Sequence, residues 1–186
     1  MVRTFAAVLA LTICWITSAA AELPSVARAE VRWAGLYEAQ IGATTVQPNT
    51  AAGHTNQLVN TRKLQATTTV EGRLGVSFGL EYALHGRPAG ANVQITIVVQ
   101  LPKAGLKNPA KAERTYREQW SAAPKPIGGS NIVGYTFEHA WEVVPGLWIF
   151  EIWSNDQKIG EQSFCVLPEQ ATEAEKNEPC RSVPSV

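Results

Sequence analysis

The sequence predicts an all-β fold, namely an antiparallel β-sandwich of about seven strands. Three observations support this prediction. Apolar residues alternate with polar or small residues along most of the chain, which is the periodicity of half-buried strands. Residues that favour turns separate the alternating runs. No window of about 12 or more residues shows the apolar spacing of an amphipathic helix.

The first half of the chain contains three clear strand-like runs, Val31 to Ile41, Val76 to Leu84 and Val93 to Leu101. The second and third runs are separated by residues 85–90, which are rich in Gly and Pro, so we expect these two strands to pair with each other. Two weaker strands are predicted at Leu64 to Val70 and at Arg114 to Ser121. The latter carries Arg117 and Glu118, which is typical of a sheet edge.

The C-terminal third predicts three more strands, Tyr135 to Val143, Leu147 to Trp153 and Lys158 to Leu167. Pro145 and Gly146 occupy the two centres of a type II turn, in which Gly146 supplies a positive φ. Tight hairpins disfavour this turn type, so we expect the corner to carry the chain from one sheet to the other. Residues 154–157 instead predict a hairpin. The long polar or Gly- and Pro-rich segments 44–60 and 102–134 are interpreted as loops.

The N-terminus predicts a cleaved secretory signal peptide. Arg3 supplies the positive start, Phe5 to Ile16 form an apolar run, and an Ala-rich stretch ending at Ala21 provides a cleavage site. The run is shorter than the roughly 20 residues that span a bilayer, which disfavours a retained signal anchor. Bulky Ile13 before Cys14 disfavours a lipoprotein. We therefore expect a periplasmic or secreted protein without a transmembrane segment.

Export leaves two cysteines, Cys165 and Cys180, and an even pair in an oxidising compartment predicts a disulfide. The alternative is a buried thiol at Cys165 and a loose one at Cys180. The chain therefore divides into a signal peptide at 1–21, one β-sandwich domain at 22–167, and a polar tail at 168–186 that the disulfide pins.

The composition excludes several functional classes. Sixteen basic residues balance 16 acidic ones, so the chain lacks the net positive charge that is typical of nucleic-acid-binding proteins. The only aspartate is Asp156, in a predicted turn, so Asp-rich calcium loops and Ser-His-Asp triads are disfavoured. The 3 histidines are far apart in sequence. We therefore predict no metal site and no cofactor.

His139 falls on the same alternating face as the aromatic residues of its predicted strand. It is interpreted as a structural residue, a buried neutral imidazole hydrogen-bonded to a backbone carbonyl or to Glu151. The alternative is a general base beside Glu138 or Glu151, although the sequence places no nucleophile next to it.

Trp153 and Glu151 are the candidate ligand-binding residues. Alternation places both on the face opposite the more apolar set Trp148, Phe150 and Ile152. Trp153 also lies at a strand end beside a turn, where β-sandwiches present binding residues to a sugar or a protein. The alternative is that Trp153 packs at the rim of the sandwich and is only partly exposed.

Several spaced motifs together resemble a bacterial family of domains of unknown function, DUF3859. They are Gly75-x-x-Phe78-Gly79, Leu101-Pro102-x-x-Gly105-Leu106-x-x-Pro109, Trp141-Glu142-x-Val144-Pro145-Gly146-x-Trp148 and Glu161-Gln162-Ser163-Phe164-x-Val166. The resemblance spans about Trp33 to Leu167 and implies an immunoglobulin-like β-sandwich in bacterial, often exported, proteins. It implies no catalytic residue, cofactor or ligand, and it does not include the cysteine pair.

We therefore predict an exported, non-catalytic β-sandwich that binds an envelope protein or a glycan. One alternative is an envelope hydrolase or metal-dependent enzyme that uses His139 with Glu side chains. A second alternative is a structural or chaperone-like module that offers a strand edge to its partner. A cleft joining His139 to Glu side chains favours the enzyme, and a long uncovered edge favours strand addition.

The exported protein is expected to start at Glu22 and to contain no free thiol, because the Ala-rich site is cleaved and the cysteine pair is oxidised. Intact-mass measurement and thiol labelling of protein recovered from the periplasm or medium test both points. Retention of Met1, or two reactive thiols without reductant, contradicts this expectation.

Overall fold

The computed structural model describes residues 23–171 and Cys180. Nearly all regular structure in this part of the chain is β-strand. The elements are β1 (Ser25–Val46), β2 (His54–Ala66), β3 (Thr69–Glu71), β4 (Ser77–Arg87), β5 (Asn92–Val93), β6 (Thr96–Gln100), β7 (Arg117–Ser121), β8 (Lys125–Pro126), β9 (Ser130–Thr136), a short 3-10 helix (Ala140–Glu142), β10 (Gly146–Ser154) and β11 (Gln157–Leu167).

These strands form a sandwich of two sheets. The first sheet has the order β2-β1-β4-β9 and the second has the order β3-β11-β10-β6-β7. Neighbours are antiparallel except β3, which runs parallel to β11. β5 and β8 form a separate two-stranded ribbon. The predicted all-β sandwich is confirmed, with more strands than the predicted seven because short and exposed strands have a weak sequence pattern.

The core lies between the sheets and is centred on aromatic rings. Phe78 of β4 contacts three rings of the second sheet, with centroid distances of 5.8 Å to Trp148, 5.9 Å to Phe150 and 5.3 Å to Phe164. All four side chains are fully buried. Such pairs contribute about 0.5–1.5 kcal/mol each beyond the burial of apolar area. The face of β10 that was the more apolar in the sequence is therefore the core face.

One predicted pairing is wrong. β4 pairs with β1 and β9, whereas β6 pairs with β10 and β7, so the two strands belong to different sheets. The segment that links them is a crossover, and its residues Asn92 and Val93 pair with β8 instead. Gly and Pro serve crossovers and hairpins equally well, so their presence identifies a break without identifying the partner strand.

The predicted strand from Tyr135 to Val143 is also wrong in its second half. β9 ends at Thr136, and a 3-10 helix follows at Ala140–Glu142. The backbone N–H groups of Glu138 and His139 donate to Glu142 Oε2 at 2.6 and 2.7 Å. Because a side chain replaces the ladder partner here, the chain turns although the period-two pattern continues.

Residues 44–60, which were predicted as a loop, are mostly a hairpin of β1 and β2. Beyond Leu36, β1 pairs only with β2, and Ile41 and Val46 on this stretch are exposed. A strand pair with solvent on much of its surface needs no apolar alternation, so the sequence pattern is absent. The other predicted loop, 102–134, contains β7, β8 and the start of β9.

Several smaller predictions are confirmed. β7 is an edge strand, and β10 and β11 form a hairpin in which Asn155 and Asp156 have positive φ. The Cys165–Cys180 disulfide is present. The predicted signal peptide and most of the tail lie outside the described residues. The described residues contain no helix with the length and apolarity that crossing a bilayer requires.

Gly146→Val is expected to lower the free energy of unfolding by more than about 1 kcal/mol. Gly146 has φ 130°, and a Cβ there would lie 2.9 Å from Pro102 Cβ. Gly53→Val is the matched control for backbone strain without a clash, since Gly53 has φ 80° and nothing within 4 Å of an added Cβ, so a smaller loss is expected there. Urea unfolding measures both; a Gly146→Val midpoint equal to that of the parent contradicts the expectation.

Candidate functional site

The part of the β1–β2 hairpin beyond the sandwich, residues 37–63, forms a hairpin arm that reaches the second sheet. Five hydrogen bonds attach its tip to β7 and the loop before it, and three of them are shorter than 3 Å. Glu118 Oε1 of β7 accepts from Ala51 N at 2.7 Å, Asn108 Nδ2 donates to Ala51 O at 2.8 Å, and Lys111 Nζ donates to Thr50 O at 2.5 Å. Thr50 and Ala51 are buried by this contact. The arm therefore bridges the two sheets at one side of the sandwich.

The tip folds tightly because local hydrogen bonds turn the chain back. Gln47 N donates to Gly53 O at 2.8 Å, and Thr50 Oγ1 donates to Gln47 O at 2.9 Å. Gly53 adopts φ 80°, which glycine reaches without steric cost. Ala51 is small enough to be enclosed completely at the contact with β7. The local sequence thus builds a compact knob that fits the edge of the second sheet.

A cavity of about 730 Å³ lies beneath the arm. Its wall is formed by the arm, by β9 at the edge of the first sheet, and by β7 with the segment that follows it. The volume falls within the roughly 300–1,000 Å³ of sites that bind small molecules. Side chains of several chemical types line it, including Tyr37, Glu118, Trp120, Tyr135 and Glu142.

Glu118 is a buried carboxyl group in this wall, with 3% of the residue exposed. It points inward because it pairs with Val99 of β6, and Val99 faces the core. Burial raises the pKa of Glu118 to about 7, and the nearby charge of Glu142 adds to the rise, while Ala51 N and Lys111 oppose it. The group is thus partly protonated near neutral pH.

Glu142 and Tyr135 form a second polar group in the wall. Tyr135 Oη donates a hydrogen bond to Glu142 Oε1 at 3.3 Å. Glu142 Oε2 accepts hydrogen bonds from the backbone N–H groups of Glu138 and His139, which follow β9. Burial raises the pKa of Glu142, although those N–H groups oppose the rise. Burial, together with the charges of Glu118 and Glu142, raises the pKa of Tyr135, so its phenol stays protonated.

Tyr37 contributes a buried hydroxyl group that has no hydrogen-bond partner among the described residues. Only 2% of Tyr37 is exposed, and burial raises the pKa of its phenol. The hydroxyl of Thr136, which is hydrogen-bonded to Ser77 Oγ at 2.8 Å, lies near enough to Tyr37 Oη to offset part of that rise. Because a hydroxyl oxygen has two lone pairs, Thr136 can accept from both Ser77 and Tyr37 after a small adjustment.

The charge of the cavity is predominantly negative. Among the described residues its lining carries three carboxyl groups, Glu118, Glu138 and Glu142, and one lysine, Lys125. His54 also lines it, and its Nδ1 lies 3.2 Å from Ala52 O. No group of three or more His, Cys, Asp or Glu residues in residues 23–171 is arranged to hold a metal ion. The arrangement is suited to binding a polar ligand through carboxyl, phenol and aromatic groups.

Trp153 and Glu151, the ligand-binding residues predicted from the sequence, lie outside this cavity on the outer face of the second sheet. Glu151 is buried, and Trp153 is half-buried. Glu151 Oε2 accepts from Trp153 Nε1 at 2.9 Å, and Glu151 Oε1 lies 3.6 Å from Lys158 Nζ. The carboxylate is thus already engaged by neighbouring side chains. A binding role for Trp153 stays a prediction.

The interpretation of His139 as a buried imidazole is wrong. His139 is exposed at the start of the 3-10 helix, and its ring stacks on Trp141 with a centroid distance of 5.6 Å. The strand that was to bury it ends before it, so its alternation with aromatic residues has no structural meaning. His85 lies elsewhere and pairs with Glu30 at 2.5 Å.

The sequence interpretation used Glu118 only as a sign of a sheet edge and gave Tyr37 no role. A usable signal existed for Glu118, because Glu118 and Trp120 alternate with the polar residues Arg117 and Gln119 and hence share a face. No sequence signal places Tyr37 in the lining of this cavity, because its position beside Gly134 of β9 depends on tertiary packing.

Comparison with known proteins provides a family and a fold. Residues 26–166 match the family "Domain of unknown function (DUF3859)". No curated protein matches the sequence. An immunoglobulin-like protein from Pseudomonas aeruginosa has a similar structure, with a TM-score of 0.54 and 23% identity over 77% of this chain and 99% of that one. The likeness shows that the sandwich is immunoglobulin-like.

Two more distant structures overlap only in part. An alkylpurine DNA glycosylase from Pseudomonas fluorescens has a TM-score of 0.38 and 12% identity, and the match covers 53% of this chain and 27% of the glycosylase chain. A β-glucosidase from Listeria innocua has a TM-score of 0.32 and 11% identity, and the match covers 71% of this chain and 16% of the glucosidase chain. At these scores neither likeness bears on function.

The raised pKa of Glu118 makes stability depend on pH. Because its pKa is about 7 in the folded chain against 4.5 as a reference, the folded state binds more protons, and its contribution to stability falls as pH rises between these values. Relative to the parent, Glu118→Gln is expected to gain on the order of 2–3 kcal/mol from pH 5 to pH 8.

Urea unfolding of both proteins across this pH range measures the effect. Glu113→Gln, which alters an exposed carboxyl group in the preceding loop, is the control and should follow the parent. Parallel pH profiles for Glu118→Gln and the parent contradict the assignment of Glu118 as a buried, partly protonated group.

Proposed function

We propose that this chain, which belongs to the DUF3859 family of domains of unknown function, is a non-catalytic binding module of the bacterial cell envelope. Its ligand occupies the cavity beneath the hairpin arm. The single observation that carries the proposal is the combination of a cavity of about 730 Å³ with a buried carboxyl group, Glu118, and the half-buried aromatic side chains Trp120 and Tyr135 in its wall. A concave surface that joins aromatic side chains to a carboxyl group with a perturbed pKa is typical of binding sites.

The location outside the cytoplasm is supported by two features. The N-terminal segment has the composition of a signal peptide. The Cys165–Cys180 disulfide is of a kind that persists in oxidising compartments and is rare in the cytosol.

The edge strand β9 favours a second candidate function, namely addition of a partner's strand. β9 pairs with β4 on one side, and within residues 23–171 no strand pairs with its other side, where it borders the cavity. An extended peptide under the arm would hydrogen-bond to the free backbone of β9. This mode differs from small-molecule binding because it depends on the backbone rather than on the buried carboxyl groups.

Thermal unfolding with and without the low-molecular-weight fraction of a bacterial envelope extract tests the proposal. A ligand that binds the folded state should raise the Tm of the parent by a few degrees. Ala43→Trp places a large side chain in the cavity lining and should abolish the shift.

Trp153→Ala separates the cavity from the outer face of the second sheet. We expect the envelope fraction to raise the Tm of Trp153→Ala by as much as it raises the Tm of the parent. If Trp153→Ala loses the shift and Ala43→Trp keeps it, the ligand binds at Trp153 and Glu151 and the cavity proposal is wrong.

A further inference from the structure

We propose that the cavity beneath the arm holds an extended peptide segment, which adds to the free edge of β9 and presents a lysine or arginine side chain to the carboxyl groups between the sheets. The inference rests on the proposed function and makes its second candidate specific, because it names the chemistry of the partner and its register on β9. Backbone hydrogen bonds hold an extended segment of any sequence, and the carboxyl groups select a basic one.

The hydrogen bonds at the end of the β4–β9 ladder show how the backbone of β9 is oriented. Phe137 N donates to Val76 O at 3.1 Å, and Phe137 O accepts from Gly75 N at 2.9 Å, so both backbone groups of Phe137 point towards β4. The register between β4 and β9 continues from this point without an irregularity. Since the backbone groups of successive residues alternate between the two sides of an antiparallel strand, every second residue of β9 points away from β4.

Ile132, Gly134 and Thr136 therefore offer their N–H and C=O groups to the free side of β9. Within residues 23–171, no backbone hydrogen bond uses these groups. All three residues are half-buried and line the cavity. An extended peptide would supply the missing partners, because its own backbone groups have the same two-residue repeat.

The cavity has walls on both faces of β9. Tyr37 of the arm covers the outer face, since a Cβ added to Gly134 would meet its ring. Tyr135 lies on the inner face, because it pairs with the core residue Phe78 and its ring centroid is 4.9 Å from that of Trp148 in the opposite sheet. A peptide in the plane of the first sheet contacts both walls with alternate side chains, whereas a compact ligand reaches only one.

The inner wall selects the side chain that the peptide presents there. The charge of Glu118 contributes to the raised pKa of Tyr135, and Glu142 Oε1 accepts from Tyr135 Oη at 3.3 Å. The ion pairs of the described residues involve neither of these carboxyl groups. Lys111 is the cation that acts on Glu118, and its Nζ already donates to Thr50 O. The wall therefore attracts a basic side chain and repels an acidic one.

Isothermal titration calorimetry of the full mature chain with the blocked peptide acetyl-Thr-Lys-Thr-Lys-Thr-Lys-Thr-amide tests the inference. The peptide has the 7 residues of β9, and its lysines share one face of an extended strand. The titration is done at pH 8, where Glu118, with a pKa of about 7, is mostly ionised. We expect binding at least about tenfold tighter than that of the same peptide with glutamate in place of lysine.

A peptide with the same composition but with its lysines in one block is the matched control for non-specific attraction. It should bind several-fold more weakly, because its lysines do not share one face. Equal affinities of the alternating, block and glutamate peptides overturn the inference.

N-methylated peptides test the backbone hydrogen bonds without altering the protein. Only one of the two alternate sets of peptide N–H groups can face β9. Methylation of that set, either the lysines or the threonines, should abolish binding, whereas methylation of the other set should change the affinity by less than about threefold. Similar effects of both sets overturn strand addition.

Variants of the chain test the named walls. Glu118→Gln should weaken binding of the lysine peptide about tenfold, and Glu113→Gln, at an exposed position in the preceding loop, should bind it like the parent. Ile132→Pro removes one free N–H group and should weaken binding of the lysine peptide; an edge position whose N–H is outside the ladder tolerates proline. Unchanged affinity of Glu118→Gln overturns the selection of a basic side chain. If Ile132→Pro does not fold, the methylated peptides still decide the backbone contact.

The failure of this inference is distinguishable from the failure of the proposed function. Binding of the lysine peptide to Ala43→Trp with the affinity of the parent places the peptide outside the cavity and overturns the inference. If no peptide binds while the envelope fraction still raises the Tm of the parent, the partner is not an extended basic segment and the binding module stands. If the fraction also has no effect, both fail.

Discussion

The contact of Phe78 with the aromatic rings of β10 and β11 holds the two sheets together, and the other features follow from it. The rings meet at centroid distances of 5.3 to 5.9 Å across the middle of the sandwich. On one side of this cluster, β9 and β7 are the outermost strands of their sheets in the part of the chain that the structure describes. The arm and the cavity occupy this side, where the aromatic core ends.

The arm places polar groups where an ordinary sandwich would have an apolar rim. Glu118 attaches the arm tip and also lines the cavity, so one carboxyl group serves both the architecture and the site. Incompletely satisfied polar groups in a buried wall are costly, which makes them unusual in a fold selected for stability alone. Their presence beside a cavity is consistent with the binding role that we propose.

The sequence predicted the sandwich strands well where one face is buried and poorly where it is not. β4 alternates because its inner residues pack against the aromatic cluster, and β10 was recognised by its dense apolar run. Most of the arm, residues 44–60, has no such buried face and was interpreted as a loop. His139 was wrongly predicted to be buried, because the alternation of aromatic and other residues continues by chance beyond the end of β9. The cavity brings Tyr135 of the first sheet near Glu118 of the second, and local patterns contain no information about contacts between sheets.

Strand β1 spans 22 residues and belongs to the sandwich and the arm without interruption. The arm is fixed at both ends. At its root β1 is hydrogen-bonded to β4, and at its tip Thr50 and Ala51 are hydrogen-bonded to residues of the second sheet and its loop. The segment that covers the cavity is therefore coupled through β1 to the first sheet and through its tip to the second.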